Sequence, residues 1–401
     1  MNKNVLEHLK QQINCSEIFR VLSEDRSYVQ QVAQKFDNCE KILVIGTGGS
    51  TLGAKALISF HACHSGDESR VIFVENTDSR NFVNTIKKCN PDTTGVIVIS
   101  KSGVTTETLV LFLTLCEIWP DFDYVEKAIA ITEFSDRNDL RILAESKQVK
   151  ILPHNPKIGG RFSVFSIVGL LPAYLGGVNI DAFINSAKTV MERTRDLNTV
   201  EESKLLVDAI TMYNLFKDGA VDQHVLMLYS DMLYHYGRWF TQLVAESLGK
   251  TEKFGITPVL AIGTVDQHSL LQLFLGGPKN KLYTIVIQKN NLETPEVSNE
   301  NDSAIINNLR GRTIHDLMLA HQETTIEVLR RQSLVRVIEF DTFSIEALGA
   351  LMMASTIEVL AIAHLAGVNP FNQPAVEAVK TELMQKIAGS EYEPLRKICS
   401  V

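Results

Sequence analysis

TTGVIVISKSGVTTETLVLFLTLCEIW, residues 93–119, carries a strand, a loop and a helix in one run. GVIVIS (95–100) is apolar and β-branched, the composition of a strand buried on both faces. LVLFLTLCEIW reads as a helix. Between them, SKSGVTTET (100–108) sets hydroxyls at Ser100, Ser102, Thr105, Thr106 and Thr108, with Lys101 and Glu107 among them. A helix leaves its first amides unpaired, and one Ser or Thr is enough to cap them. Thr105 with Thr108, or Ser102 with Glu107, would serve. The segment holds more hydroxyls than a cap needs. A helix start also offers N–H donors and a partial positive charge to an anion, and small hydroxyls add donors around a phosphate. This stretch alone leaves capping and phosphate binding both open.

The same alternation recurs on either side. KILVIG (41–46), RVIFVEN (70–76), KAIAIT (127–132) and VKILP (149–153) read as further strands, and STLGAKALISFHAC and SRNFVNTIKKC as helices. Such alternation implies a doubly wound parallel sheet with helices on both faces and ligands at the strands' carboxyl ends. GTGGSTLG (46–53) and SKSGVTTET both fall at such ends. The second half repeats the theme with strands HVLMLYS (224–230), KLYTIVIQ (281–288) and LVRVIEFD (334–341). Its helices are YHYGRWFTQLVAESLG, IHDLMLAHQETTIEVLRRQ, SIEALGALMMASTIEVLAIAHLAG and a terminal AVEAVKTELMQKIAG. Residues 179–219 between the halves are helical and polar. The junction is expected within 180–200, giving an N-terminal domain 1–185 with the hydroxyl loop and a C-terminal domain 186–401. Two αβα sandwiches side by side would leave a cleft for a ligand.

A chain of 401 residues has room for two or three domains. Its net charge of −8 argues against nucleic acid or an anionic membrane as partner. Cys15, Cys39, Cys63, Cys89, Cys116 and Cys399 are scattered without paired spacing, the usage of reduced thiols in a cytosolic protein. HACH (61–64) has no partner cluster to complete a zinc site and reads as a solvated helix end. The charged, amphipathic N-terminus is not a signal peptide. The most apolar stretch, 348–367, is interrupted by Glu358 and His364, so a buried core helix is expected there and not a membrane span.

Several motifs carry chemistry. In GTGGSTLG the glycines let backbone approach a ligand, although neither a nucleotide P-loop nor a dinucleotide fingerprint is completed; a tight turn explains it equally. Arg161 is the one charge in IGGRFSVFSIVGLLPAYLGG (158–177), a costly placement unless it meets an acid or an anion. Gln242 and Glu246 in WFTQLVAESLGK share a helix face, and Glu246 among apolar neighbours fits a working base or a plain surface acid. His315 stands at a helix start and can pass protons near neutral pH. Gln373 precedes the last helix and Lys380 lies two turns into it, where a lysine is ordinarily solvated.

Taken in order, GTGGSTLG, SKSGVTTET, GGRFSVFSIVGL, QLVAESLGK, GTVDQHSLLQLFLGGP and PFNQPAVEAVK resemble the glucose-6-phosphate isomerase (phosphoglucose isomerase) family from about Ile42 to Lys380. The resemblance implies an α/β fold of two sugar-isomerase (SIS) domains with a C-terminal helical tail. It implies a cytoplasmic dimer with shared active sites, working in glycolysis and gluconeogenesis without metal or other cofactor. Gly49 and Ser50 match the loop that contacts the sugar. Ser100, Lys101, Ser102, Thr105 and Thr108 match the phosphate loop. Arg161 matches the arginine beside the reacting carbons, Gln242 and Gln373 substrate contacts, Glu246 the base, His315 the ring-opening histidine and Lys380 its assisting lysine. The chain is short for the family, reads SGV at 102–104, and has Pro374 after Gln373.

The implied reaction interconverts glucose 6-phosphate and fructose 6-phosphate. His315 with Lys380 would help open the ring. Glu246 would then carry the proton between C2 and C1 through a cis-enediol whose charge Arg161 offsets. A non-catalytic sugar-phosphate sensor on the same fold is the alternative, as is an isomerase that also takes mannose 6-phosphate.

Overall fold

The structure is a computed structural model that describes residues 2–135, 137–290, 293–298 and 307–389. Cys399 lies outside them. Five strands, β1 (Lys41–Ile45), β2 (Val71–Val74), β3 (Thr94–Ile99), β4 (Ala128–Thr132) and β5 (Lys150–Pro153), form a parallel sheet in the order β2-β1-β3-β4-β5. Every residue of β3 and β4 is buried, because helices cover both faces. The register pairs Ile45 of β1 with Val98 of β3, so both strands release their following loops at one edge. Strand order reverses between β1 and β3, and the crevice at such a switch point is where open α/β sheets take ligands. GTGGSTLG and SKSGVTTET are the two loops that flank it.

A second parallel sheet has the order β7-β6-β8-β9, from β6 (Gln223–Leu228), β7 (Thr257–Ile262), β8 (Lys281–Gln288) and β9 (Leu334–Phe340). Strand β7 was not anticipated from the sequence. It holds Pro258, a residue that sheets tolerate mainly at their edges, and β7 is an edge strand. Its register partner for Pro258 is His224.

The stretch from 179 to 219 is two helices, Ile180–Arg195 and Lys204–Lys217. The first is continuous through residue 185 and buries Phe183, Ile184, Ala187 and Met191. Its main neighbour is the long helix Ile345–Ala366. By length and composition that long helix could cross a membrane, but 72% of its most apolar window is buried within the protein. It is the core helix that the sequence leads one to expect. Glu358 upon it is fully partnered, taking Arg336 of β9 as a bidentate ion pair whose Nη2–Oε1 distance is 3.2 Å. Cys15, Cys39, Cys63, Cys89 and Cys116 are free thiols.

Candidate active site

The hydroxyl loop is built around Ser100, at the end of β3 and only 2% exposed. Its Oγ donates to Thr105 Oγ1 (3.0 Å) and accepts from the Gly103 amide (3.2 Å). Thr105 is the residue before the helix Thr106–Ile118, yet its side chain makes no capping bond. The capping explanation by Thr105 therefore fails, and among the described residues no side chain caps the first helical amides. Gly103 turns the loop with φ +69°, and a Cβ there would stand 1.7 Å from Asn138 Oδ1. Buried Asn138 is held in place, since it donates to Thr132 Oγ1 and to the Glu133 carbonyl. Thr108 is buried and its Oγ1 has no hydrogen-bond partner among the described residues. Lys101 turns away and donates to the Pro156 carbonyl at 2.6 Å. Burial lowers its pKa; Glu133 opposes that, and the nearby positive charge of Arg161 adds to it.

On the other side of the switch point, Gly48–Ser50 make a short 3-10 turn. Gly49 lies against Gly160 so closely that a Cβ would meet the Gly160 carbonyl carbon at 2.2 Å. Ser163 fastens the contact by donating to the carbonyls of Gly49 (3.0 Å) and Gly160 (2.7 Å). Close backbone approach thus explains the glycines and brings Arg161, one residue on, beside the sugar loop. The space above Gly48 is filled by Gln242 Nε2, 3.2 Å from where its Cβ would stand.

Gln242 and Glu246 lie on the helix Tyr234–Leu248, which follows β6 but packs on the helix Leu52–Ser65 of the first half. A helix from one sheet thereby delivers a carboxylate to the loops of the other. Gln242 Nε2 donates to Glu246 Oε1 at 3.0 Å, and Arg161 Nη1 to Glu246 Oε2 at 2.8 Å. Arg161 is 1% exposed, whereas the Glu246 side chain keeps 32% of its surface. The carboxylate is anchored through both oxygens while its side chain stays about one-third exposed. Burial pulls the Arg161 pKa down and Glu246 opposes it.

Arg161 commits all its guanidinium donors. Nε donates to Ser247 Oγ (2.9 Å), Nη1 also to Gln373 Oε1 (3.2 Å), and Nη2 to the carbonyls of Asn372 (3.0 Å) and Pro370. Its own carbonyl accepts from Trp239 Nε1 at 3.0 Å. The segment 370–373 is therefore strapped to Arg161, beside the carboxylate, from more than two hundred positions further along the chain. Glu246, Arg161, Gln242, Gln373 and the Gly49 loop are brought together. Ser50 and Ser102 are half-buried in their loops.

His315 and Lys380 lie on two other helices. His315 is the second residue of the helix Ile314–Arg330, behind a Thr313–Asp316 capping box, and its Nδ1 is buried without a partner among the described residues. No hydrogen bond among the described residues joins it to Arg161 or Glu246. Lys380 is exposed on the helix Pro374–Ala388. A histidine passed over in the sequence, His268, closes the turn Val265–His268 after β7 and is exposed. The sequence carries no positional signal for it, because GTVDQHS marks a strand's carboxyl end, where ligand loops belong, only once β7 is known.

Two parallel α/β sheets, a hydroxyl-lined helix start and a carboxylate clamped by a buried arginine define a class, the sugar-phosphate isomerases of SIS type. The chain matches the family model "Phosphoglucose isomerase" over residues 14–393 and belongs to that family. It is 32% identical over 359 residues to a glucose-6-phosphate isomerase of Rubrobacter xylanophilus, covering 86% of this chain and 82% of that one. A hypothetical protein of Thermus thermophilus superposes with TM-score 0.85 at 30% identity, over 96% of this chain and 95% of that one. A glucose-6-phosphate isomerase of Chlamydia trachomatis shares the fold, with TM-score 0.79 at 20% identity, over 94% and 75%.

Proposed function

We propose that Glu246 is the base with which this chain interconverts glucose 6-phosphate and fructose 6-phosphate. The observation that carries this is the clamped, half-open carboxylate of Glu246, held by Gln242 and Arg161 at the rim of the sugar loop. The open aldose has an acidic C2 hydrogen beside its carbonyl. One carboxylate can remove it and return it at C1, because both carbons of a cis-enediol present one face. General acid–base help of this kind is worth roughly 10² to 10⁴ in rate.

Arg161 offsets the charge on the enediol oxygens. With every donor engaged, it does so by exchange: a developing anion is a stronger acceptor than the neutral Gln373 amide and takes over the Nη1 hydrogen. The phosphate sits on Ser100, Ser102, Thr105, Thr108 and the free amides of the helix Thr106–Ile118, with the orphan Thr108 hydroxyl among its donors. Lys101 supports that loop from behind through Pro156. Gly49 and Ser50 contact the sugar. Ring opening falls to a histidine with Lys380; His315 is the candidate from the family resemblance. His268 is a second candidate, favoured by its exposed position at the carboxyl end of β7. An exposed histidine suits an active site completed by the neighbouring subunit of a dimer. The domain junction falls within the helical stretch 180–200, on the support that the first sheet ends before it and the second begins after it. The cytoplasm is the compartment that free thiols suit.

The test is conversion of fructose 6-phosphate to glucose 6-phosphate by the purified protein without added metal, beside Glu246→Gln. Turnover in the parent and none in the variant, with sugar phosphate still bound, supports the assignment. Equal turnover in both overturns it.

A further inference from the structure

Lys250 lies just past the helix that carries Glu246, in a motif whose lysine the reaction above does not use. Its Nζ donates to the Asn372 carbonyl and stands 3.4 Å from Asn372 Oδ1. The Asn372 carbonyl is the one Arg161 Nη2 also holds, at 3.0 Å. One carbonyl oxygen thus takes two cationic donors, one from each half of the chain. The segment they grip bears Gln373 on its next residue.

We propose that Lys250 is a positioning residue for the isomerase reaction, keeping the segment 370–373 seated beside Glu246 when Arg161 turns a donor to the substrate. The inference rests on the assignment of Glu246 as base. Its logic is a division of labour. Arg161 holds both the carboxylate and the segment, and the reaction calls one of its hydrogens away. A second cation on the same carbonyl keeps the segment in place through that exchange. The charges around Glu246 are consistent with this closeness: burial and the Arg161 charge lower the Lys250 pKa, and Glu246 raises it.

Lys250→Met and Lys250→Arg, measured beside the parent, test this with two independent readouts. The first is the split between kcat and KM for fructose 6-phosphate. Lys250→Met is expected to lose about tenfold in kcat/KM, chiefly through kcat, and Lys250→Arg should restore it. The second is hydrogen–deuterium exchange of the peptide spanning 368–376, faster in Lys250→Met and parent-like in Lys250→Arg. Parent-like kcat and KM together with unchanged exchange in Lys250→Met overturn the inference. A parent without turnover overturns the isomerase assignment instead, while the exchange comparison still decides whether Lys250 holds the segment.

Discussion

Gly103 shows how much one residue decides. Its positive φ and the Asn138 amide against it leave no room for a methyl group. Gly103→Ala is expected to push the hydroxyl loop off its partners and raise KM for sugar phosphates severalfold while the folded protein survives, as kinetics beside a thermal melt would show. Thr105→Ala removes the partner of Ser100 Oγ without touching the base. It should raise KM chiefly, about tenfold, and an unchanged KM would move the phosphate elsewhere. Both residues stand in SKSGVTTET. The abundance of hydroxyls there was legible, but why the fourth position is glycine was not, because Asn138 arrives from a different helix start.

At the scale of elements, β9 is tied to the core helix Ile345–Ala366 by Arg336 and Glu358, 4% exposed at its side chain. Thr284 of β8 joins them, accepting from Arg336 Nε at 3.1 Å. Glu358→Ala would leave a guanidinium buried without its acid, at a cost of about 3–5 kcal/mol. Urea unfolding midpoints are the measurement, and replacing Arg336 with Met in the same chain should recover much of the loss. The sequence shows Glu358 as an interruption of an apolar run. Only the packing of the helix against β9 turns that interruption into an ion pair.

At the scale of the whole molecule, two buried histidines set an acid limit. His154, 3% exposed at the end of β5, is pushed from the ordinary 6.5 down to about 4, chiefly by burial, with the Asn155 carbonyl opposing and Lys101 reinforcing. His224, donating or accepting at Thr284 Oγ1 across 2.8 Å, is pushed to about 3 by burial and then by Arg336. The unfolded chain binds protons at both sites below 6.5 and the native chain does not. Their contribution is therefore intact above about pH 6.5 and is lost as pH falls, reaching about 3 kcal/mol for His154 near pH 4. Melting temperatures between pH 7.5 and 4.5 should decline, and His154→Gln should flatten the decline. The proposal of a shared-site dimer has its own test. Mixing Glu246→Gln with whichever of His315→Ala or His268→Ala is inactive should restore partial turnover if the histidine crosses between subunits; no restoration would place base and histidine in one chain.

The sequence by itself determined the class of fold, since buried β-branched runs alternating with helices can settle only as covered parallel sheets. It also marked the loops that meet at the switch point, because glycines and hydroxyls at strand ends are local signals. Strand β7 escaped because Pro258 reads as a breaker until its place at a sheet edge is known. Tertiary structure alone decided that Glu246 is clamped by Arg161, that Arg161 has no free donor, and that Asn372 is gripped from both halves of the chain. Those contacts join residues 85 to 212 positions apart in sequence. Burial, and not local propensity, selects the partners of a guanidinium, so no reading along the chain could name them.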